Sequence, residues 1–85
     1  MANYSVKIKR TALKEIARLP QRDVKKIVAI IGALADDPRP KQAKKLSSQE
    51  KYRIRSGDYR ILYEVYDNVL IVFVVKVAHR RNAYR

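Results

Sequence analysis

The sequence predicts an α+β fold, with two N-terminal helices packed on one face of a mostly antiparallel four-stranded sheet. Three observations support this. Apolar residues in the first half recur at helical spacing. Three segments after residue 50 alternate apolar and polar residues or are continuously apolar, and short turn signals separate them. Two helices with one apolar stripe each can cover only one face of such a sheet. The 85 residues are enough for a single domain, residues 1–85.

The first half is predicted to hold one strand and two helices. Residues 4–9 alternate as a half-buried strand does. Thr11 is a candidate cap for a short helix over residues 11–19, which Pro20 ends. A second helix is predicted over residues 22–35, before two prolines.

Each helix carries one predicted apolar face. The first face contains Leu13, Ile16 and Ala17. The second contains six residues: Val24, Ile27, Val28, Ile31, Leu34 and Ala35. Ile30 lies at the edge of that stripe, where the rim of the core is favoured over a partner contact.

The second half is predicted to be a loop followed by three strands. The stretch up to Glu50 is polar and basic, which indicates a loop. Strands are predicted over residues 51–55, 59–66 and 69–77, joined by turns at residues 57–58 and 67–68. The last strand is apolar on both faces and should lie inside the sheet. The order is therefore β-α-α-β-β-β.

Charge is the most informative bulk property. Twenty Lys and Arg against eight Asp and Glu give a net charge of +12. Twelve of the basic residues but only four of the acidic ones lie after residue 37. Such a field attracts a polyanion, of which nucleic acid is the commonest, although an acidic protein or an anionic membrane surface also satisfies it. A surface made only for solubility usually mixes both signs.

Strand alternation predicts a cluster of arginines on the sheet. Arg53 and Arg55 share one face of their strand, and Arg60 lies on the same face of the next strand. These guanidinium groups repel one another unless an anion lies between them, and arginine grips phosphate with two hydrogen bonds. A solvated basic face without a ligand is the alternative. In the preceding loop, Lys44 and Lys45 are further candidates for RNA binding.

The C-terminal segment gathers residue types that RNA cleavage uses. His79, Arg80, Arg81 and Tyr84 follow the last strand within six residues. Histidine exchanges protons, arginine stabilises phosphate charge, and tyrosine stacks on bases. A lone histidine or a terminal tyrosine is more often structural, but their coincidence with two arginines favours a functional site.

Other features limit the function classes. The chain has no cysteine, which excludes disulfides and cysteine metal sites. No apolar run reaches the ~20 residues that span a bilayer, and the first residues lack the apolar stretch of a signal peptide. We therefore expect a cytoplasmic protein without a membrane partner.

Three segments together resemble the RelE/ParE superfamily of toxins. Residues 52–65, YRIRSGDYRILYEV, resemble the family core Y-[KR]-[ILV]-R-x-G-x-Y-R-[ILV]-x-Y. Residues 74–84, VVKVAHRRNAY, resemble the ending V-x-x-V-G-H-R-x-x-V-Y. Residues 12–20, ALKEIARLP, are similar to the family's first helix, A-x-K-x-L-x-x-L. The likeness covers nearly the whole chain, and the two C-terminal motifs are the specific ones.

The resemblance implies a toxin that cleaves mRNA on the ribosome and is held by an acidic, RelB-like antitoxin. The reaction is attack of a ribose 2′-hydroxyl on the adjacent phosphate, and it needs no metal and no cofactor. Arg60 and Arg80 are implied to stabilise the reacting phosphate, and Tyr84 to stack on the base or orient the nucleophile. His79 occupies a position where some relatives have a catalytic histidine. Arg53 and Arg55 are implied to bind or neutralise phosphate on the same face. Lys44, Lys45 and Arg81 are further candidate RNA-binding residues.

One departure from the family concerns the proton-transfer group. Some RelE proteins carry lysines in the second strand, whereas this chain has Arg53 and Arg55. Arginine keeps its proton at ordinary pH and is a poor base. Proton transfer must then fall to His79, to Tyr84 or to a ribosomal group.

The alternative functions are inhibition of DNA gyrase, as in ParE-like toxins, and a non-catalytic basic RNA-binding module.

Overall fold

A computed structural model describes residues 3–46 and 49–82. Seven elements follow one another: β1 (Ser5–Ile8), α1 (Arg10–Ala17), α2 (Gln21–Ala33), β2 (Lys44–Lys45), β3 (Lys51–Ser56), β4 (Tyr59–Tyr66) and β5 (Ile71–His79). Across these two ranges, neither helix has the length and apolar character needed to cross a bilayer.

The strands form one sheet in the order β1-β5-β4-β3-β2. β1 runs parallel to β5, and the other three pairings are antiparallel. The predicted count of four strands is wrong, because β2 lies in the predicted loop and pairs Lys44 with Arg53 and Lys45 with Tyr52. Two lysines show no apolar alternation, so only their ladder with β3 defines this strand. β5 lies between β1 and β4, which confirms its predicted interior position.

Both helices cover the same face of the sheet. α1 packs against β5 and α2 against β3. The buried core is made of helix residues, the residue after α2 and one side of three strands: Ala12, Ile16, Ile27, Ile31, Leu34, Tyr52, Ile54, Ile61, Tyr63, Val65, Val72, Val74 and Val77. The β3 and β4 members of this core are those that alternation assigns to the helix side, so this part of the prediction is confirmed.

The predicted helix details are partly wrong. α1 begins at Arg10 with Lys9 as its N-cap, so Thr11 does not cap it. Leu13 is 51% exposed and Ala17 is also exposed, whereas Ala12 and Ile16, four residues apart, are buried. The face of α1 that packs against β5 therefore contains Ala12 and Ile16, and Leu13 and Ala17 lie outside it.

The second helix is shorter than the predicted 22–35 and has one exposed stripe residue. It runs from Gln21 to Ala33, so Leu34 and Ala35 of the predicted stripe lie beyond its end. Val28, predicted on the apolar stripe of α2, is 52% exposed. Ile27 and Ile31 of that stripe are buried. Ile30 is partly buried against the core, which confirms the interpretation as core rim.

The turn between β4 and β5 is longer than the predicted Asp67-Asn68 pair. Residues 67–70 form it, and β5 begins at Ile71. Leu70 has a φ of 54°, which is unusual for a residue with a bulky side chain. Its N–H donates to the Asp67 carbonyl at 3.3 Å, and its carbonyl accepts from the Ser5 N–H at 2.8 Å. Pairing with β1 therefore holds Leu70 in this conformation, and local sequence does not reveal it.

Arg39, in the loop after α2, joins three separate parts of the chain. Its Nε donates to the Tyr52 hydroxyl at 2.7 Å, and its two Nη atoms donate to the Asp67 carboxylate at 3.1 and 2.8 Å. The same guanidinium forms an ion pair with Glu50. We call these four residues the Arg39 cluster. It ties the β4–β5 turn to the start of β3.

The carboxylates of this cluster are held ionised. Hydrogen bonds from Lys45 and then Arg39 lower the pKa of Glu50 to about 2. The hydrogen bond from Arg39, followed by that from the Tyr4 hydroxyl, lowers the pKa of Asp67. Both groups thus hold their protons less tightly in the folded protein than in the unfolded chain.

Acid should therefore weaken the fold through this cluster. Between about pH 5 and pH 2 the unfolded chain binds more protons than the folded one, so the free energy of unfolding should fall as pH is lowered. The Arg39→Met variant should be less stable at pH 7 and should lose less stability across that window. Urea unfolding followed by circular dichroism at several pH values measures this. Asp36→Asn, at an exposed carboxylate outside the cluster, is the control, and an unchanged slope in Arg39→Met would contradict the assignment.

Candidate nucleic-acid interface

Three arginines lie together on the sheet face that the helices leave open. Arg55 of β3 pairs directly with Arg60 of β4, and Arg53 lies two residues before Arg55. Their neighbours Ile54 and Ile61 point into the core and are fully buried. Since side chains alternate along each strand, all three arginines point away from the helices. We call Arg53, Arg55 and Arg60 the arginine face.

The pairing of Arg55 with Arg60 is electrostatically unfavourable by itself. Directly opposed residues have Cβ atoms about 4.5–5.5 Å apart, and like charges there are destabilising. Arg55 is exposed and Arg60 is half-buried, with an Nη1 that donates to the Tyr59 carbonyl at 3.4 Å. On its other side Arg60 pairs with Ala78 of β5, which carries only a methyl side chain. This row can accept a phosphate group between its two arginines.

The two candidate lysines of β2 lie in different surroundings. Lys44 pairs with Arg53 and therefore extends the arginine face. Lys45 pairs with Tyr52, whose side chain is on the helix side, and forms an ion pair with Glu50 at 2.8 Å. Because side chains alternate along β2, Lys44 lies on the same side as the arginine face and Lys45 lies on the helix side.

The C-terminal arginines lie at the same end of the sheet as Arg55 and Arg60. This end is closed by the β3–β4 turn, where Gly57 has a φ of 58° that favours glycine. The N–H of Arg80 donates to the Asp58 carbonyl at 2.7 Å, which docks the end of β5 on this turn. Arg80 and Arg81 are both exposed.

His79 lies on the other side of the sheet from the arginine face. It pairs with Tyr59, one residue from Arg60, and packs edge-to-face on the Tyr59 ring with centroids 5.8 Å apart. The histidine is half-buried, and its Nδ1 accepts a hydrogen bond from the Arg81 N–H at 3.3 Å. In this arrangement the neutral ring carries its proton on Nε2.

Tyr84 lies outside the described residues. The structure therefore brings Arg53, Arg55, Arg60 and Lys44 together on one face. It places Arg80 and Arg81 at the end of that sheet and sets His79 behind it.

Two features at this site were not predicted. β5 contains a bulge, since Leu62 pairs with Lys76 and Tyr63 with Val74, which leaves Val75 without a partner on β4. Glu15 of α1 accepts a hydrogen bond from the Val77 N–H at 2.9 Å. No sequence pattern marks either feature, because both depend on how α1 and β4 meet β5.

The fold and the arginine face define a class of small, strongly basic α+β proteins with two helices on one face of a five-stranded sheet. Comparison with known families is more specific: residues 6–84 match the family model described as the ParE toxin of type II toxin–antitoxin system, parDE. The chain belongs to the RelE/ParE superfamily of toxins.

Individual relatives carry RelE-type names. The protein RelE1 of Methanocaldococcus jannaschii is 34% identical, with 96% of each chain covered. Toxin RelG of Mycobacterium tuberculosis is 30% identical, over 96% of this chain and 97% of its own. The crystal structure of the archaeal RelE–RelB complex from Pyrococcus horikoshii contains a chain with a TM-score of 0.82 and 25% identity, covering 95% and 99% of the two chains.

The opposed arginines predict a measurable effect on stability. Replacing Arg60 with glutamine should raise the free energy of unfolding at low salt by about 0.2–1 kcal/mol, because it removes a directly opposed like charge. Added pyrophosphate should stabilise the unmodified protein more than the variant. Thermal unfolding at low ionic strength, with and without pyrophosphate, tests both points. Arg18→Gln, at an exposed arginine after α1, is the control; equal responses in both variants would mean that the pair holds no anion.

Proposed function

We propose that the protein is the toxin component of a toxin–antitoxin pair and a ribosome-dependent mRNA endoribonuclease acting in the cytoplasm. The observation that carries this proposal is the row of Arg55, Arg60 and Ala78 across three strands, with Arg80 at its end. Such a row offers two guanidinium groups that can donate hydrogen bonds to a phosphodiester, and only a methyl side chain lies opposite Arg60 on β5. The RelE-type names of the relatives support the ribonuclease branch.

The proposed reaction needs charge stabilisation and two proton transfers. The 2′-oxygen forms a bond to the adjacent phosphorus while the bond from phosphorus to the 5′-oxygen breaks. This leaves a 2′,3′-cyclic phosphate and a 5′-hydroxyl, with no change of oxidation state and no metal in the proposal. Arg60 stabilises the charge that builds up on the phosphoryl oxygens, with Arg80 as a second clamp. Arg53, Arg55, Lys44 and Arg81 bind neighbouring phosphates.

The proton-transfer group is proposed to be His79 or Tyr84, or a group supplied by the ribosome. Nδ1 of His79 is already an acceptor for the Arg81 N–H, so Nε2 is the atom left for substrate. Because His79 lies behind the arginine face, RNA bound there must pass around the end of the sheet to reach it. That geometry keeps Tyr84 and the ribosome in the proposal alongside the histidine.

Gyrase inhibition is the second candidate function. The family model that matches residues 6–84 is described as a ParE toxin, which favours it. An inhibitor that only binds its target needs no residue for proton transfer. A basic module without catalytic activity would bind RNA and show neither activity.

The proposed partner is an acidic, RelB-like antitoxin. Solved structures similar to this chain are RelE–RelB complexes from Pyrococcus horikoshii and Escherichia coli. A net charge of +12 complements an acidic chain.

One experiment separates these functions. Primer extension on mRNA after induction should show cuts linked to codons, and the purified protein should leave gyrase supercoiling unaffected. Co-expression with an acidic antitoxin encoded beside it should abolish the cuts. Blocked supercoiling without mRNA cuts would establish the ParE-like alternative, and neither effect would leave a binding module.

Arg60 should affect the reaction rate more than binding. The Arg60→Ala variant should slow single-turnover cleavage by roughly 10²-fold or more, because it removes charge stabilisation that is needed most in the transition state. Lys44→Ala should weaken ribosome and RNA binding and reduce its salt dependence, with a smaller effect on rate. Lys25→Ala, at an exposed lysine of α2, is the control. Equal effects of Arg60→Ala on rate and binding would make Arg60 an anchor only.

His79 and Tyr84 are distinguished by their variants. If His79 transfers a proton, His79→Ala should slow cleavage by roughly 10²-fold or more without comparable loss of binding. Tyr84→Phe should cost less than Tyr84→Ala if the ring only stacks, and as much if its hydroxyl reacts. A near-normal rate for His79→Ala would remove the histidine from the mechanism.

A further inference from the structure

The carboxylate of Glu15 takes the place of a missing strand beside β5. β1 pairs with β5 only as far as Ile8 opposite Val74, and the Lys9 N–H then reaches the Val74 carbonyl at 2.8 Å. From Arg10 the chain turns into α1, so the rest of this edge of β5 has no neighbouring strand in the described part of the chain. One helical turn and a half later, Glu15 returns to that edge.

Glu15 makes two contacts there. Its Oε1 accepts from the Val77 N–H at 2.9 Å, and its Oε2 lies 3.3 Å from the Lys76 Nζ. The hydrogen bond to Val77 is part-buried, where an unsatisfied N–H is costly. A charged acceptor makes this bond stronger than a neutral one.

These contacts lie next to a β-bulge in the sheet. The bulge at Val75 interrupts the β4–β5 ladder immediately before Lys76. A bulge is a place where the pairing of two strands can change by one residue, and such a change moves every following side chain to the other face. The residues that follow are Ala78, which lies beside Arg60, and then His79 and Arg80.

We infer that Glu15 is a positioning residue that holds the end of β5, after the bulge, in the register that places Ala78 beside Arg60 and Arg80 at the end of the arginine face. It acts through the backbone of Val77 and does not touch the arginine face itself. The inference rests on the proposed function only in its expected effect on cleavage. The proposed effect of Glu15 on the pairing of β4 with β5 does not depend on the proposed function.

The test compares Glu15→Ala, Glu15→Gln and Lys76→Met. Glu15→Ala should lose hydrogen-exchange protection at the Val77 amide and should slow single-turnover cleavage by roughly 10- to 100-fold per folded molecule, with ribosome binding little changed. Glu15→Gln keeps an acceptor and should restore most of the protection and rate. Lys76→Met should change the rate by less than about threefold, because it leaves the bond to Val77 intact. Asp36→Ala removes the same charge from an exposed site and is the control.

The outcomes are distinct. Unchanged Val77 protection in Glu15→Ala, or lost protection with an unchanged rate, would overturn the inference. A rate loss that Glu15→Gln does not restore would also overturn it. Should Glu15→Ala fail to fold, Glu15→Gln and Lys76→Met still test it, because a large loss of rate in either one contradicts it. If the unmodified protein cleaves no mRNA, the proposed function fails, and Val77 exchange and the nuclear Overhauser contact between Tyr59 and His79 still test the register.

Discussion

The alternation of side chains across β3, β4 and β5 is the constraint on which the rest of the molecule depends. Two helices cover one face of these strands, so every second residue must be apolar and the residues between them need not be. Ile54 and Ile61 meet the helices while Arg55 and Arg60 meet each other on the open face. A shift of β4 by one residue in this pairing would turn Arg60 toward the helices, and burying its guanidinium group without a partner is costly.

Side chains from outside the ladder hold this register at two places. At one end, Arg39 links the β4–β5 turn through Asp67 to Tyr52 at the start of β3. At the edge of β5, Glu15 binds the backbone where β1 has already left the sheet. In both cases a charged side chain forms hydrogen bonds where a strand or turn ends. Arg39 donates to Tyr52 and Asp67, and Glu15 accepts from the Val77 N–H. The register of the arginine face is thus supported from regions distant in sequence.

Without a bound anion, the arginine face lowers the stability of the folded protein. Opposed arginines repel each other, and in a protein of net charge +12 they add to an existing excess. Ala78 beside Arg60 supplies no side chain to neutralise or cover the guanidinium. The proposed phosphodiester ligand would offset this repulsion by accepting hydrogen bonds from both guanidinium groups. In the proposed reaction, proton transfer falls to His79, Tyr84 or a ribosomal group, because arginine keeps its proton at ordinary pH.

The sequence by itself determined the fold class, the two helices, the three long strands and the face that Arg53, Arg55 and Arg60 share, because periodicity is a local property of the chain. It did not determine the Lys44–Lys45 strand, the conformation of Leu70 or the bulge at Val75. Each of these depends on pairing with another strand, which the local sequence does not specify. The side of the sheet on which His79 lies is likewise decided by its partner strand. Its nearness to Arg80 in sequence suggested one cluster with the arginines, but pairing with Tyr59 places its ring on the opposite side of the sheet. Candidate site residues can be predicted from sequence. The face of the sheet on which each of them lies at the end of a strand is decided by the neighbouring strand.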